Sequence, residues 1–199
     1  MLKKILFTFV LFFSFVYFFC IYTYNLQSSI SDKIIRLHVI ANSNSEYDQF
    51  VKLKVRDNIV EFLSPLLKNC KNINESRVVI AKNLENIERL ANDTLQNYGS
   101  YTANANLTDS TFPTKTYGNY SFPAGNYESL KVTIGEGSGE NWWCVMFPPL
   151  CFTDSSIEFS EDSIETLKEN LSEEELELIS NSKEPKIQIK FKLLEWLNK

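Results

Sequence analysis

Twenty consecutive residues, Ile5 to Tyr24, carry no charge: ILFTFVLFFSFVYFFCIYTY. A helix rising about 1.5 Å per residue spans roughly 30 Å over that length, the depth of the hydrocarbon layer of a bilayer. Large apolar side chains fall on every face of such a helix, so lipid rather than water is its solvent. Lys3 and Lys4 precede the stretch and no charge comes after it until Asp32. The positive-inside bias therefore holds the N-terminus in the cytoplasm and sends the remainder of the chain outward. Residues 1–27 are read as a signal peptide or a signal anchor. Bulky Tyr and Phe surround Cys20 where a peptidase would require small residues, which weighs toward retention of the segment.

Residues 28–199 are long enough for one globular domain and are read as exported. The chain has a net charge of -5, and setting aside Lys3 and Lys4 leaves -7 for the exported part. Nucleic acid is excluded as a partner on that balance, because no basic face gathers to meet a phosphate backbone.

Asn25 to Asp32 reads as a short polar linker. Ile34 to Ala41, IIRLHVIA, is a β-branched and aliphatic run expected to form a largely buried strand. Ser45, with Asp48 three residues on, marks a helix start over about Glu46 to Leu67. Its apolar stripe is expected at Val51, Val55, Ile59, Phe62 and Leu66. Ile73, Ile80, Leu84, Ile87, Ala91 and Leu95 predict a second amphipathic helix with Gly99 as its cap, and the two form an αα-hairpin.

Beyond Tyr101 the pattern alternates, in Ala103, Ala105 and Leu107, then Tyr120 and Phe122, then Tyr127, Leu130, Val132 and Ile134, with Pro, Gly and Asn between runs. Alternation of this kind predicts antiparallel sheet. Gly135 to Gly139, GEGSG, is expected to close a hairpin onto Asn141–Phe147; Glu136 and Glu140 and the succeeding strand argue against phosphate binding there. Glu158 to Glu177 holds nine acidic residues against Lys168, at helical spacing, with Ser172 and Glu175 fitting a capping box. Lys186 to Lys192 alternates as a charge-protected edge strand. The fold class is α+β: a membrane segment, a strand, an αα-hairpin, an antiparallel sheet of several strands and short C-terminal helices.

Cysteine and histidine bound the chemistry. Cys144 and Cys151 bracket VMFPPL, whose two prolines interrupt the strand and turn the chain back. The expectation is a disulfide between them, contributing about 2.5 kcal/mol by loop entropy; the alternative is two buried thiols. Three exported cysteines and His38 lack the paired spacing of structural zinc, so no metal or other cofactor is expected. His38 as the base of a cysteine nucleophile competes with a structural role in its hydrophobic strand. No catalytic motif occurs, and neither catalysis nor a small-molecule substrate is expected. Trp142, Trp143, Phe147, Pro148 and Pro149 concentrate rigid and aromatic groups, the residue types that anchor interfaces, and are the candidate partner-binding residues. Adjacent tryptophans on a strand point to opposite faces.

Two segments, IRLHVIANSNSEYDQFVKLKVR from Ile35 to Arg56 and FPAGNYESLKVTIGEGSGENWWCVMFPPLCF from Phe122 to Phe152, resemble the stage II sporulation protein R family of endospore-forming bacteria. The resemblance implies a signalling protein made in the forespore, exported into the space between the septal membranes. There it activates a membrane-embedded aspartic protease of the mother-cell membrane, which processes the pro-sigma-E precursor. An extracytoplasmic cysteine-dependent enzyme, or a structural envelope domain, is the alternative.

Overall fold

A computed structural model describes residues 2–99, 101–151 and 161–180. The first element, α1, runs from Leu2 to Ser31. Its apolar residues up to Tyr24 are exposed on all sides and bury nothing within the protein, as a helix made for lipid would. The expected linker at residues 25–32 is instead the last turns of this helix. Leu26 and Ile30 fall four apart there, and Ile30 is fully buried in the domain.

Four strands form the main sheet: β1 (Ile35–Ile40), β2 (Ala103–Phe112), β5 (Gly125–Ile134) and β6 (Asn141–Phe147), in the order β2-β5-β1-β6. A small hairpin, β3 (Lys115–Tyr117) with β4 (Tyr120–Phe122), lies apart from it. The sheet is mixed: β5 pairs antiparallel with β2, and β1 antiparallel with β6, but β1 runs parallel to β5. The parallel pair arises because β1 enters from α1 and slots between two strands that succeed each other much later in sequence. Consequently residues 135–140 do not close a hairpin between paired strands. They arch over the end of β1, where the amides of Ser138 and Gly139 donate to the carbonyls of Asn42 and Ala41.

Between β1 and β2 stand α2 (Glu46–Leu67) and α3 (Ile73–Gln96), the expected αα-hairpin. Ser45 caps α2 by accepting from the Asp48 amide, while the Asp48 carboxylate turns back to Asn42 and Ser43. The buried stripe of α2 is Val51, Val55, Ile59, Leu63 and Leu67 rather than one ending at Leu66, which is exposed. Helix α3 is capped at its end by Asn97, with Gly99 two residues further on. Leu37, Val39, Leu130, Val132 and Cys144 project from one sheet face onto these helices and make the main core. Each fully buried aliphatic side chain there contributes about 1.5–3 kcal/mol by leaving water.

The opposite face is half covered. Ile30, Phe112, Phe122, Tyr127, Val145 and Leu167 form a second core beneath β3–β4, α4 (Glu161–Asn170) and α5 (Glu173–Ile179). Ser172 and Glu175 make the expected capping box of α5. The expected strand at Lys186 to Lys192 and the start of the acidic stretch lie outside the described residues.

Candidate partner-binding surface

The turn after β6 is tied to the strand it leaves. Cys144 and Cys151 are joined, with Cα atoms 5.4 Å apart, and the Leu150 amide donates to the Val145 carbonyl at 3.0 Å. The Phe147–Pro148 peptide is cis. Phe147 and Pro148 are buried and Pro149 is half-buried, so the rigid part of the candidate patch is occupied in packing. The two tryptophans divide between faces as strand alternation requires. Trp142 lies on the helix side, half-buried, with the Arg56 guanidinium 4.6 Å above its ring. Trp143 lies on the other side, also half-buried, with the Lys115 ammonium 4.5 Å from its ring centre.

His38 is the direct cross-strand partner of Trp143, and their rings stack at 6.1 Å. Cys144 pairs instead with Leu37 and packs into the main core. The sheet thus stands between His38 and the sulfur, and the two are not brought together as a nucleophile and its base. Among the described residues no group of three His, Cys, Asp or Glu side chains is placed to hold a metal ion. Cys70 is a buried free thiol.

The residue that sequence reasoning missed is Arg36. Alternation in I-R-L-H-V puts Arg36 and His38 on the face opposite Leu37 and Val39, a signal that the aliphatic neighbours obscure. Arg36 is fully buried. Its guanidinium lies 4.3 Å from the Phe112 ring centre and 4.9 Å from that of Tyr127, and Nη2 donates to the Tyr117 hydroxyl at 3.0 Å. Tyr117 passes the bond on to the Trp143 carbonyl at 2.9 Å. Nε and Nη1 of Arg36 have no acceptor among the described residues, nor has the buried Trp143 Nε1 a partner there. Aromatic faces offset part of the cost of burying this cation, but no carboxylate among the described residues does.

His38 is buried, with Nε2 2.7 Å from Asn141 Oδ1. Burial, reinforced by Lys131 and Arg36, lowers its pKa against the opposing effect of the Asn141 bond. The ring is neutral near pH 7, and its Nδ1 is buried without a partner among the described residues.

The profile of the family described as stage II sporulation protein R matches residues 31–157. Over 185 residues the chain is 36% identical to stage II sporulation protein R of Bacillus subtilis (strain 168), covering 85% of this chain and 82% of that protein. No solved structure matches the chain. The match runs from the end of α1 through the tryptophan strand and its cysteines, and the chain belongs to the stage II sporulation protein R family.

Proposed function

We propose that this chain is an exported sporulation signal that activates a membrane-embedded aspartic protease of the mother-cell membrane by binding it, and so triggers processing of the pro-sigma-E precursor. The observation that carries the proposal is the family match over nearly the whole globular part. Two features support it. A charge-free helix behind Lys3 and Lys4 is suited to deliver the domain across the forespore membrane into the intermembrane space, either cleaved near residue 27 or left as an anchor. The domain carries a half-buried Trp143, stacked on the buried His38 and flanked by cations, suited to contact rather than to bond-breaking. Binding acts by favouring the active arrangement of the protease over its resting one.

Co-expression of the chain with the protease and the sigma precursor in a non-sporulating cell tests this. Cleavage of the precursor is expected with the full chain and lost when residues 1–27 are removed. Cleavage that is equal without the chain, or equal with and without export, overturns the proposal. A cysteine-dependent enzyme is the reading that survives if Cys144→Ser abolishes cleavage while the variant still folds.

A further inference from the structure

The half of the sheet face beyond β3–β4 carries positive charge and no negative charge among the described strand residues. The pairing register lines up Asn106, Lys131, His38 and Trp143 in one row across all four strands. The neighbouring row on the covered side contains Thr108, Ser129, Arg36 and Val145. The strands place the cations Arg36 and Lys131, with the neutral His38, on this face and no Asp or Glu, because Asp109 and Glu128 alternate to the other side. Lys115 adds a further cation at the Trp143 ring. In a chain of net charge -5 this is a local reversal of sign.

Among the described residues Arg36, Lys131 and Lys115 form no ion pair, and the carboxylate that reaches the β2 edge of this face, Glu88, is engaged by Asn104 and the Ala105 amide. Among the described residues two nitrogens of Arg36 and the indole N–H of Trp143 have no acceptor, all of them buried beside this row. Burial is the main cause of the lowered His38 pKa, and Lys131 and Arg36 add to it in the same direction. The two Arg36 nitrogens have almost no accessible surface, so Arg36 acts on an incoming carboxylate through its charge, while Lys131 and Lys115 are the groups placed to pair with it.

We propose that the His38–Trp143 pair, flanked by Lys131 and Lys115 and backed by the buried Arg36, is the docking site for an acidic, extended peptide segment of the partner protein. This rests on the activator role proposed above. The row crosses all four strands, over roughly 14 Å at the usual strand spacing, a length that suits a chain segment laid across it better than a small ion. The stacked rings supply an apolar floor and the lysines the charge complement. The row lies in the half of β1 farther from α1, so a lipid headgroup of the anchoring membrane is not the occupant favoured.

Two measurements test the site. In the co-expression assay, Lys115→Glu with Lys131→Glu is expected to cut precursor cleavage by about tenfold or more, the scale of reversing charge complementarity at an interface. The equally charge-changing pair Lys82→Glu with Lys168→Glu, on exposed positions of α3 and α4, is expected to leave it unchanged. Equal loss in both pairs, or in neither, overturns the proposal. Should the first pair abolish the thermal melt, Lys115→Gln with Lys131→Gln takes its place.

In the second measurement the full chain in detergent micelles is titrated calorimetrically with a tetraglutamate peptide, a tetralysine peptide, inorganic phosphate and phosphatidylglycerol vesicles. Binding of the glutamate peptide, weakened by added salt and by the Lys115/Lys131 variant, is expected. Binding of phosphate or vesicles alone, or of no probe, overturns the site. If the unaltered chain fails to promote cleavage, the activator role is what falls, and the titration alone then decides whether an acidic segment binds here.

Discussion

Lys33 and Glu175 meet at 2.6 Å, joining the segment two residues past α1 to the first turn of α5. The carboxylate is almost fully buried and also accepts from Ser29 Oγ and the Ser172 amide. One side chain therefore caps α5, pairs with a cation and holds the foot of α1 against the domain. Severing it loosens the junction between α1 and the domain.

Burial pushes the Glu175 pKa up, yet Lys33, Ser29 and the Ser172 amide outweigh burial and hold it below the ordinary carboxylate value. A depressed carboxylate stabilises the fold above its unfolded pKa and loses that contribution as pH falls through its folded value. Glu175→Gln is expected to lower the melting temperature by several degrees near pH 7, the effect of losing about 1–3 kcal/mol of charge-assisted bonding. Melts near neutral pH and in acid below the folded pKa check it, and the two proteins should converge in acid.

The strand, both helices and the capping box were legible because each obeys a local rule: a β-branched run, a stripe of helical period, a Ser three residues before a Glu. Three things were not. The parallel pairing of β1 with β5 depends on contacts between residues about ninety apart, which no local periodicity encodes. The arch at 135–140 looked like a hairpin because its glycines serve close approach to Asn42 and Ser43 rather than a two-strand turn. Arg36 was hidden because a buried arginine among aliphatics reads as strand until its aromatic neighbours, Phe112 and Tyr127 from far along the chain, are in place.

The Cys144–Cys151 bridge closes a short loop, and its removal is expected to cost about 2.5 kcal/mol through the entropy of the unfolded chain. Cys144→Ser with Cys151→Ser should fold, melt lower and, if the bridge is structural, still signal. A mass shift of the peptide spanning 144–151 on reduction of protein made outside the cytoplasm checks the bond itself. Absence of a shift would show two thiols.

Asp48 anchors the arch from below. Its carboxylate accepts from Ser43 Oγ at 2.6 Å and Asn42 Nδ2 at 2.9 Å, and those two bonds, in that order, lower its pKa against the opposing effect of burial. Asn42 in turn accepts from the Glu136 amide and, through its carbonyl, from Ser138. Asp48→Ala is expected to destabilise by about 1–3 kcal/mol by stranding these donors. Gly139→Ala should act similarly for a different reason: a Cβ there collides with the Ser43 carbonyl oxygen, a backbone atom that cannot swing aside. Urea titrations of both variants measure the loss, and unchanged midpoints would remove the arch from the account of stability.

Arg36 allows the opposite sign. Replacing one member of a buried ion pair strands its partner, but Arg36 has no carboxylate to strand among the described residues, only the Tyr117 hydroxyl and two aromatic faces. Methionine keeps much of the length and contacts of the side chain and removes the charge. The cost of holding a guanidinium away from water disappears, while the lost cation–aromatic attraction and one hydrogen bond are each on the order of 1–2 kcal/mol. Arg36→Met is therefore expected to be as stable as the natural chain or more so in urea unfolding, in contrast to almost every other polar substitution in this core. The same variant should lose affinity for an acidic peptide, because the charge behind His38 and Trp143 has gone. A stable variant with unaltered binding would show that the arginine serves the fold, whereas stability gained together with binding lost is the signature of a charge that the protein keeps for its partner.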